Sequence, residues 1–295
     1  MPAERKLAFI GIGLMGLPLC EHLLGSGDRL TVWNRSSDKC LPLVEKGAVQ
    51  AESLDDIARQ SDVIFLCLTD SLAVRDVYRQ ISSSLRGNQI IVDFSSIDPL
   101  VTRSLHDDAL SKGVDWVDCP VSGGVPGAKA GTLAVMAGGS EDALNQVRPL
   151  LSLFSSKVTR MGESGAGQYT KICNQMIVSS NALVIAEVVA LAERAGVDSS
   201  KLAEAFSGGF ADSKPLQILA PEMSQRCFEP VKWHVRTLLK DLDMAVTHTK
   251  EMGSAAPMTG LAAQLMRQHA ANGYTDKDPS TLINLYTGNA ANDDS

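Results

Sequence analysis

Short apolar blocks alternate with amphipathic stretches through the first half of the chain. Residues 7–10 are an apolar run, followed at once by Gly11-Ile12-Gly13-Leu14-Met15-Gly16 and a helical pattern that closes around Gly25 and Gly27. That is strand, glycine turn, helix. Residues 30–33 read as a second strand, 53–59 as a short helix, and 62–68 as a strand apolar on both faces, as buried parallel strands are. Strands at 89–94, 115–117 and 132–137 and helices at 99–112 and 142–154 continue the alternation. The pattern predicts an α/β fold of Rossmann type, a doubly wound, mostly parallel sheet with helices on both faces.

Past 158–161 the texture changes. Gly162, Gly165 and Gly167 punctuate the chain and everything beyond reads as helix. This divides the protein into an α/β domain at 1–164 and an all-α domain at 165–295. The helix expected at 168–194 is apolar around most of its circumference and stops at Ala195-Gly196, so it needs protein on nearly every side. Packing between domains and between subunits supplies that cover, and we expect a homodimer or homotetramer. Residues 289–295 read as a disordered tail.

Composition narrows the partners. With 295 residues, 44% hydrophobic and 21% charged, the chain has enough apolar surface for a sizeable core. A net charge of -7 and a pI near 5.3, with no basic run, argue against nucleic acid and leave small molecules and further copies of the chain. Cys20, Cys40, Cys67, Cys119, Cys173 and Cys227 lie too far apart for a CxxC motif, and we expect reduced thiols and a cytoplasmic location. Residues 172–192 form the most apolar long stretch, but Asn174, Gln175, Asn181 and Glu187 within it favour a buried helix over a membrane span. His22, His106, His234, His248 and His269 have no short-range ligand spacing; no metal is expected, and each reads as a surface or capping residue.

Gly11, Gly13 and Gly16 match G-x-G-x-x-G in the context that gives the motif its meaning, after a first strand and before a helix. Gly11 permits the tight turn, Gly13 lets a pyrophosphate approach the backbone, and Gly16 lets helix and sheet pack closely. Leu14 and Met15 lie within this turn and Leu68 at the end of a neighbouring strand, so they join the cofactor-binding set. The second strand ends Asn34-Arg35-Ser36 where an NAD enzyme presents an acid to the ribose. Here there is no acid. Arg35 can pair with a 2′-phosphate, Asn34 and Ser36 can add neutral hydrogen bonds, and NADP is expected over NAD.

Two further segments carry candidate chemistry. In Asp118-Cys119-Pro120-Val121-Ser122-Gly123-Gly124, two glycines after a serine either form a cradle for a carboxylate or only redirect the chain. Lys171, Asn174 and Gln175 are three and four residues apart at the start of the long helix, so an ammonium and two amides share one face.

Together with Lys240-Asp241-Leu242-Asp243-Met244-Ala245, these ordered motifs resemble the β-hydroxyacid dehydrogenase family over residues 6–288. The family includes 3-hydroxyisobutyrate dehydrogenases and tartronate semialdehyde (2-hydroxy-3-oxopropionate) reductases. The resemblance implies hydride transfer between NADP and a short β-hydroxy acid or its semialdehyde. It implies Lys171 as catalytic acid/base, Ser122, Gly123 and Gly124 on the substrate carboxylate, Asn174 and Gln175 positioning the substrate, and Ser96 and Lys240 near the nicotinamide. The Asn174-Gln175 pair looks like the tartronate semialdehyde reductase branch. Cys119 stands where the family usually has alanine. Rival readings are an imine reductase, against which Lys171 speaks, and a non-catalytic NADP-binding module.

Overall fold

A computed structural model describes residues 5–287, and the expected tail at 289–295 lies outside them. In chain order the first part comprises β1 (Lys6–Ile10), α1 (Gly16–Leu24), β2 (Arg29–Trp33), α2 (Leu41–Val44), β3 (Val49–Gln50), α3 (Leu54–Gln60), β4 (Val63–Leu66) and α4 (Ser71–Ile81). It continues with β5 (Ile90–Asp93), α5 (Pro99–Ser111), β6 (Asp115–Asp118), β7 (Val121–Ser122), α6 (Gly124–Ala130), β8 (Leu133–Gly138), α7 (Glu141–Leu151) and β9 (Ser155–Gly162). Among the described residues nine strands join one sheet in the order β3-β2-β1-β4-β5-β6-β8-β7, with β9 on β8. From β3 to β6 every pairing is parallel, whereas β8 runs antiparallel to β6 and β7. The order reverses between β1 and β4, and that is where the glycine turn sits.

Alternation along the central strands builds two cores. Leu7 and Phe9 of β1, Val63 and Phe65 of β4, and Val92 of β5 face the side covered by Leu19, Cys20 and Leu23 of α1 and Leu144, Val147 and Leu151 of α7. Ala8, Ile10, Ile64, Leu66 and Ile91 face the other, under Ile57 of α3, Val74, Val77 and Ile81 of α4, and Leu105 of α5. Neighbouring rings on the first side stack in a row, Phe9 to Phe65 at 5.9 Å and Phe65 to Phe94 at 5.8 Å between centroids. Such offset pairs add about 0.5–1.5 kcal/mol each beyond area burial.

The doubly wound expectation holds, with three helices it did not include, the short α2 among them. Both α4 and α6 follow stretches read only as connections, and α6 starts on Gly-Val-Pro-Gly, a sequence of poor helix propensity.

The second part comprises α8 (Ala166–Arg194), α9 (Leu202–Phe206), α10 (Lys214–Gln225), α11 (Val235–Glu251), α12 (Pro257–His269) and α13 (Asn284–Thr287), joined by short helical turns. The chain divides into two compact units, the first ending at Lys171 and the second starting at Ile172. The sequence reading places the division at 164. The first turn and a half of α8 belongs with the sheet because the backbone N–H groups of Gly165 and Gln168 donate to the buried Asp118 carboxylate.

Within the second unit, Leu183, Val189, Leu219, Met223, Leu238, Leu242 and Met266 form the core. His248 and His269 are buried, which corrects the expectation that every histidine lies at the surface or caps a helix. His269 tolerates burial because Nε2 hydrogen-bonds Thr281 Oγ1 at 2.9 Å and the ring stacks on Tyr274; burial pulls its pKa down to about 4, so it is neutral near pH 7.

Helix α8 is long and apolar enough to cross a membrane by length and composition, and half of its most apolar window is buried in the chain. The chain covers less of it than the sequence reading requires. Ile177, Val184 and Leu191 are 65%, 50% and 69% exposed, and their spacing of seven puts them on one stripe.

Candidate active site

The glycine turn is built so that nothing larger fits at its two ends. Gly11 has φ +106°, and a Cβ there would lie 2.3 Å from the Cys67 carbonyl oxygen. A Cβ on Gly16 would lie 2.1 Å from the Gly11 carbonyl oxygen. Both contacts are impossible, so both positions require glycine. A Cβ on Gly13 would instead meet nothing within 4 Å, leaving open space over the backbone where a pyrophosphate would approach. Met15, the N-cap of α1, makes no side-chain cap and the first turn carries no acid, so the positive end of the helix dipole is not offset locally. These residues fit a dinucleotide phosphate. Leu14 projects into solvent beside them, 64% exposed.

Asn34 braces the turn. Its Oδ1 accepts from Ile12 N at 3.0 Å, and its Nδ2 donates to the Ser36 carbonyl at 2.9 Å. Arg35 and Ser36 beside it are exposed, and among the described residues Arg35 has no ion-pair partner. On the other side of the turn, Leu68 N donates to Ser95 Oγ at 2.9 Å, and Ser95 N donates to Asp93 Oδ1. A Cβ on Gly11 would meet Leu68 Cδ2 at 2.9 Å, so the turn, Leu68 and the Ser95-Ser96 segment are neighbours. Asp93 is fully buried; burial, with the Asp118 charge on the adjacent strand, pushes its carboxyl up to about 7.

The segment Ser122-Gly123-Gly124 leaves β7 and enters α6 through two glycines with positive φ, +132° and +61°. The two positive-φ glycines stand directly after the Ser122 hydroxyl, a backbone that turns the chain sharply at this point. Lys171, half-buried on α8, donates from Nζ to the Val121 carbonyl oxygen at 3.0 Å. That contact sets the ammonium one residue from Ser122. Lys171 and the candidate cradle, 47 residues apart in sequence from Gly124, are thus brought together.

In the second unit the remaining candidates form their own network. Asn174 Nδ2 donates to Gln175 Oε1 at 2.9 Å, and the buried Gln175 donates from Nε2 to Asp241 Oδ2 at 2.6 Å. Lys240 Nζ lies 3.4 Å from Asp241 Oδ1. Asp241 is therefore the group that joins Gln175 to Lys240, a role that its place in the motif at 240–245 does not disclose. Its signal was weak, since an acid beside a lysine on a helix usually faces water. Gln168 is another such residue: fully buried, it donates to the Ser95 carbonyl at 2.8 Å and accepts from Ile97 N at 3.2 Å. Cys119 packs in the core beneath the sheet, and burial, then the Asp118 and Asp93 charges, raise its thiol well above the usual range. It fills space there and is no nucleophile.

Comparison with known proteins agrees with this geometry. Residues 6–162 match the family described as the NAD binding domain of 6-phosphogluconate dehydrogenase, and residues 165–286 match the NAD-binding domain of NADP-dependent 3-hydroxyisobutyrate dehydrogenase. The chain is 36% identical to the 2-hydroxy-3-oxopropionate reductase of Escherichia coli over 284 residues, 94% of this chain and 96% of the relative. It is likewise 36% identical to a probable 3-hydroxyisobutyrate dehydrogenase-like protein of Arabidopsis thaliana, covering 96% of this chain and 85% of that one. A solved 3-hydroxyisobutyrate dehydrogenase from Mycobacterium tuberculosis, with L-serine, superposes with a TM-score of 0.87 at 29% identity, covering 96% and 99% of the two chains. With a match along nearly its whole length and a glycine turn shaped for a dinucleotide, the chain belongs to the β-hydroxyacid dehydrogenases, NAD(P)-dependent oxidoreductases that act on CH–OH groups.

Proposed function

We propose that this enzyme interconverts a short β-hydroxy acid and its semialdehyde with NADP(H), using Lys171 as general acid/base. The observation that carries the reading is the 3.0 Å hydrogen bond from Lys171 Nζ to the Val121 carbonyl, which holds a titratable amine beside Ser122 and the two positive-φ glycines. Bound NADP would accept or supply the hydride. Ser122, Gly123 and Gly124 bind the substrate carboxylate, and Lys171 takes the hydroxyl proton in oxidation and returns it in reduction. Asn174, its amide oriented by Gln175, contacts the substrate, while Gln175 and Asp241 hold that amide in place. Exposed Arg35, with no acid at the end of β2, supports NADP over NAD.

The Asn174-Gln175 pair and the E. coli relative favour a three-carbon semialdehyde such as 2-hydroxy-3-oxopropionate. A panel of C3 and C4 β-hydroxy acids with NADP, followed at the absorbance of the reduced cofactor, tests this. Turnover of the C3 acids by at least tenfold over the C4 acids supports it, and turnover of none sinks it.

The exposed stripe of Ile177, Val184 and Leu191 on α8 supports self-association of this enzyme, as a dimer or tetramer. Light scattering should give a mass of at least twice 31.4 kDa, and Val184→Glu should lower it towards that value. A wild-type monomer that is stable and active would end this part of the reading.

A further inference from the structure

The start of α8 is held in an unusual way. Asp118, at the end of β6 and fully buried, accepts from Gly165 N with Oδ1 at 2.8 Å and from Gln168 N with Oδ2 at 2.9 Å. A carboxylate from a strand 47 residues earlier thus does the work that an N-cap side chain usually does for its own helix. Its charge suits the place, since the N-terminus of a 29-residue helix carries the positive end of the macrodipole.

The surrounding glycines are fitted to this contact. A Cβ on Gly167 would lie 2.5 Å from the Met136 carbonyl oxygen and 2.7 Å from Asp118 Oδ2, and one on Gly138, the register partner of Asp118, would lie 2.6 Å from Oδ1 and 2.7 Å from Gly167 N. Neither can be accommodated without moving the carboxylate. Gln168, one residue further, ties the same helical turn to Ser95 and Ile97.

Lys171 follows Gln168 by three residues, nearly one helical turn, and Val121, whose carbonyl receives its ammonium, follows Asp118 by three. The strand end and the helix start are therefore clamped at two points, one holding the backbone of the helix and the other the side chain. We propose that Asp118 is a positioning residue for catalysis: by fixing the first turn of α8 it sets Lys171 against the Ser122-Gly123-Gly124 cradle. This inference rests on the acid/base role proposed for Lys171. A helix start free to shift by even 1 Å would carry the amine off its line to the substrate hydroxyl, which lowers turnover rather than binding.

Asp118→Asn tests it, because the amide keeps the volume and one acceptor but turns an N–H toward one of the two backbone N–H groups. We expect kcat to fall at least tenfold, with substrate KM within threefold and cofactor Kd within twofold of wild type. Gly167→Ala displaces the same carboxylate and also meets the Met136 carbonyl, so it is compared per folded molecule, where it should give the same split between kcat and KM. A purely structural role would lower the melting temperature of Asp118→Asn and leave kcat per folded molecule unchanged. That result, with Lys171→Met inactive, would overturn the positioning role and leave the lysine's role standing. Full activity in Lys171→Met would instead remove the acid/base reading, and the positioning role with it.

Discussion

Lys171→Met is expected to lower kcat by about 100-fold or more while leaving the cofactor Kd within twofold of wild type. General acid/base groups contribute about 10²–10⁴ in rate. Methionine keeps the length and the apolar stem of lysine, so the half-buried position stays filled and only the titrating nitrogen is lost. The glycine turn, Asn34 and Arg35 lie on other elements of the sheet unit, and Lys171 Nζ donates to the Val121 carbonyl. On the proposed role, oxidation needs the neutral amine and should speed up as pH rises, whereas reduction needs the ammonium and should slow. Steady-state rates in both directions between pH 6 and 10, with cofactor titrations followed by fluorescence, check this. If Lys171→Met keeps more than a tenth of wild-type kcat, the assignment is wrong.

Replacing Arg35 should be nearly as telling. Arg35→Ala is expected to raise KM for NADP by about 10- to 150-fold, the loss of about 1.5–3 kcal/mol that goes with one charge-assisted hydrogen bond, and to leave KM for NAD almost unchanged. The effect should be specific because Arg35 is exposed and has no ion-pair partner among the described residues, so its removal disturbs no packing. High salt should shrink the difference between the two cofactors. Parallel kinetics with NADP and NAD decide the matter. An equal rise in both KM values would mean that Arg35 does not recognise the 2′-phosphate.

The parts of the fold that could be read from the chain are those where local pattern and final environment agree. Strand β1, its glycine turn and α1 are such a case, because the apolar run and the glycine spacing act within 20 residues. Helix α4 was also within reach: Asp70 caps it by accepting from Ala73 N, and Val74, Val77, Tyr78 and Ile81 repeat at helical spacing on the buried face. By contrast α6 runs against propensity. Gly124, Pro126 and Gly127 would not form a helix alone, and Leu133 and Thr132 close over Gly127. In the site, the residue types were legible and their partners were not. Lys171 finds Val121 across 50 residues, and Gln175 finds Asp241 across 66. Contacts at such separation follow from sheet order and helix packing, which no window of sequence contains. The burial of His269 was hidden for the same reason, since Thr281, its hydrogen-bond partner, lies beyond its own helix.

The double duty of Asn34 limits how the proposed NADP preference could be re-engineered. An NAD-type site would want a carboxylate at the end of β2, and position 34 is the obvious place for it. Aspartate there could still accept from Ile12 N, but its second oxygen would replace the Nδ2 that donates to the Ser36 carbonyl, setting two acceptors face to face. The loop that carries the new acid would be pushed open by it. Exchange of the charge proposed to read the ribose therefore has to begin at Arg35 or Ser36, whose side chains already stand in solvent, with asparagine retained at 34 as the strut between them and the glycine turn.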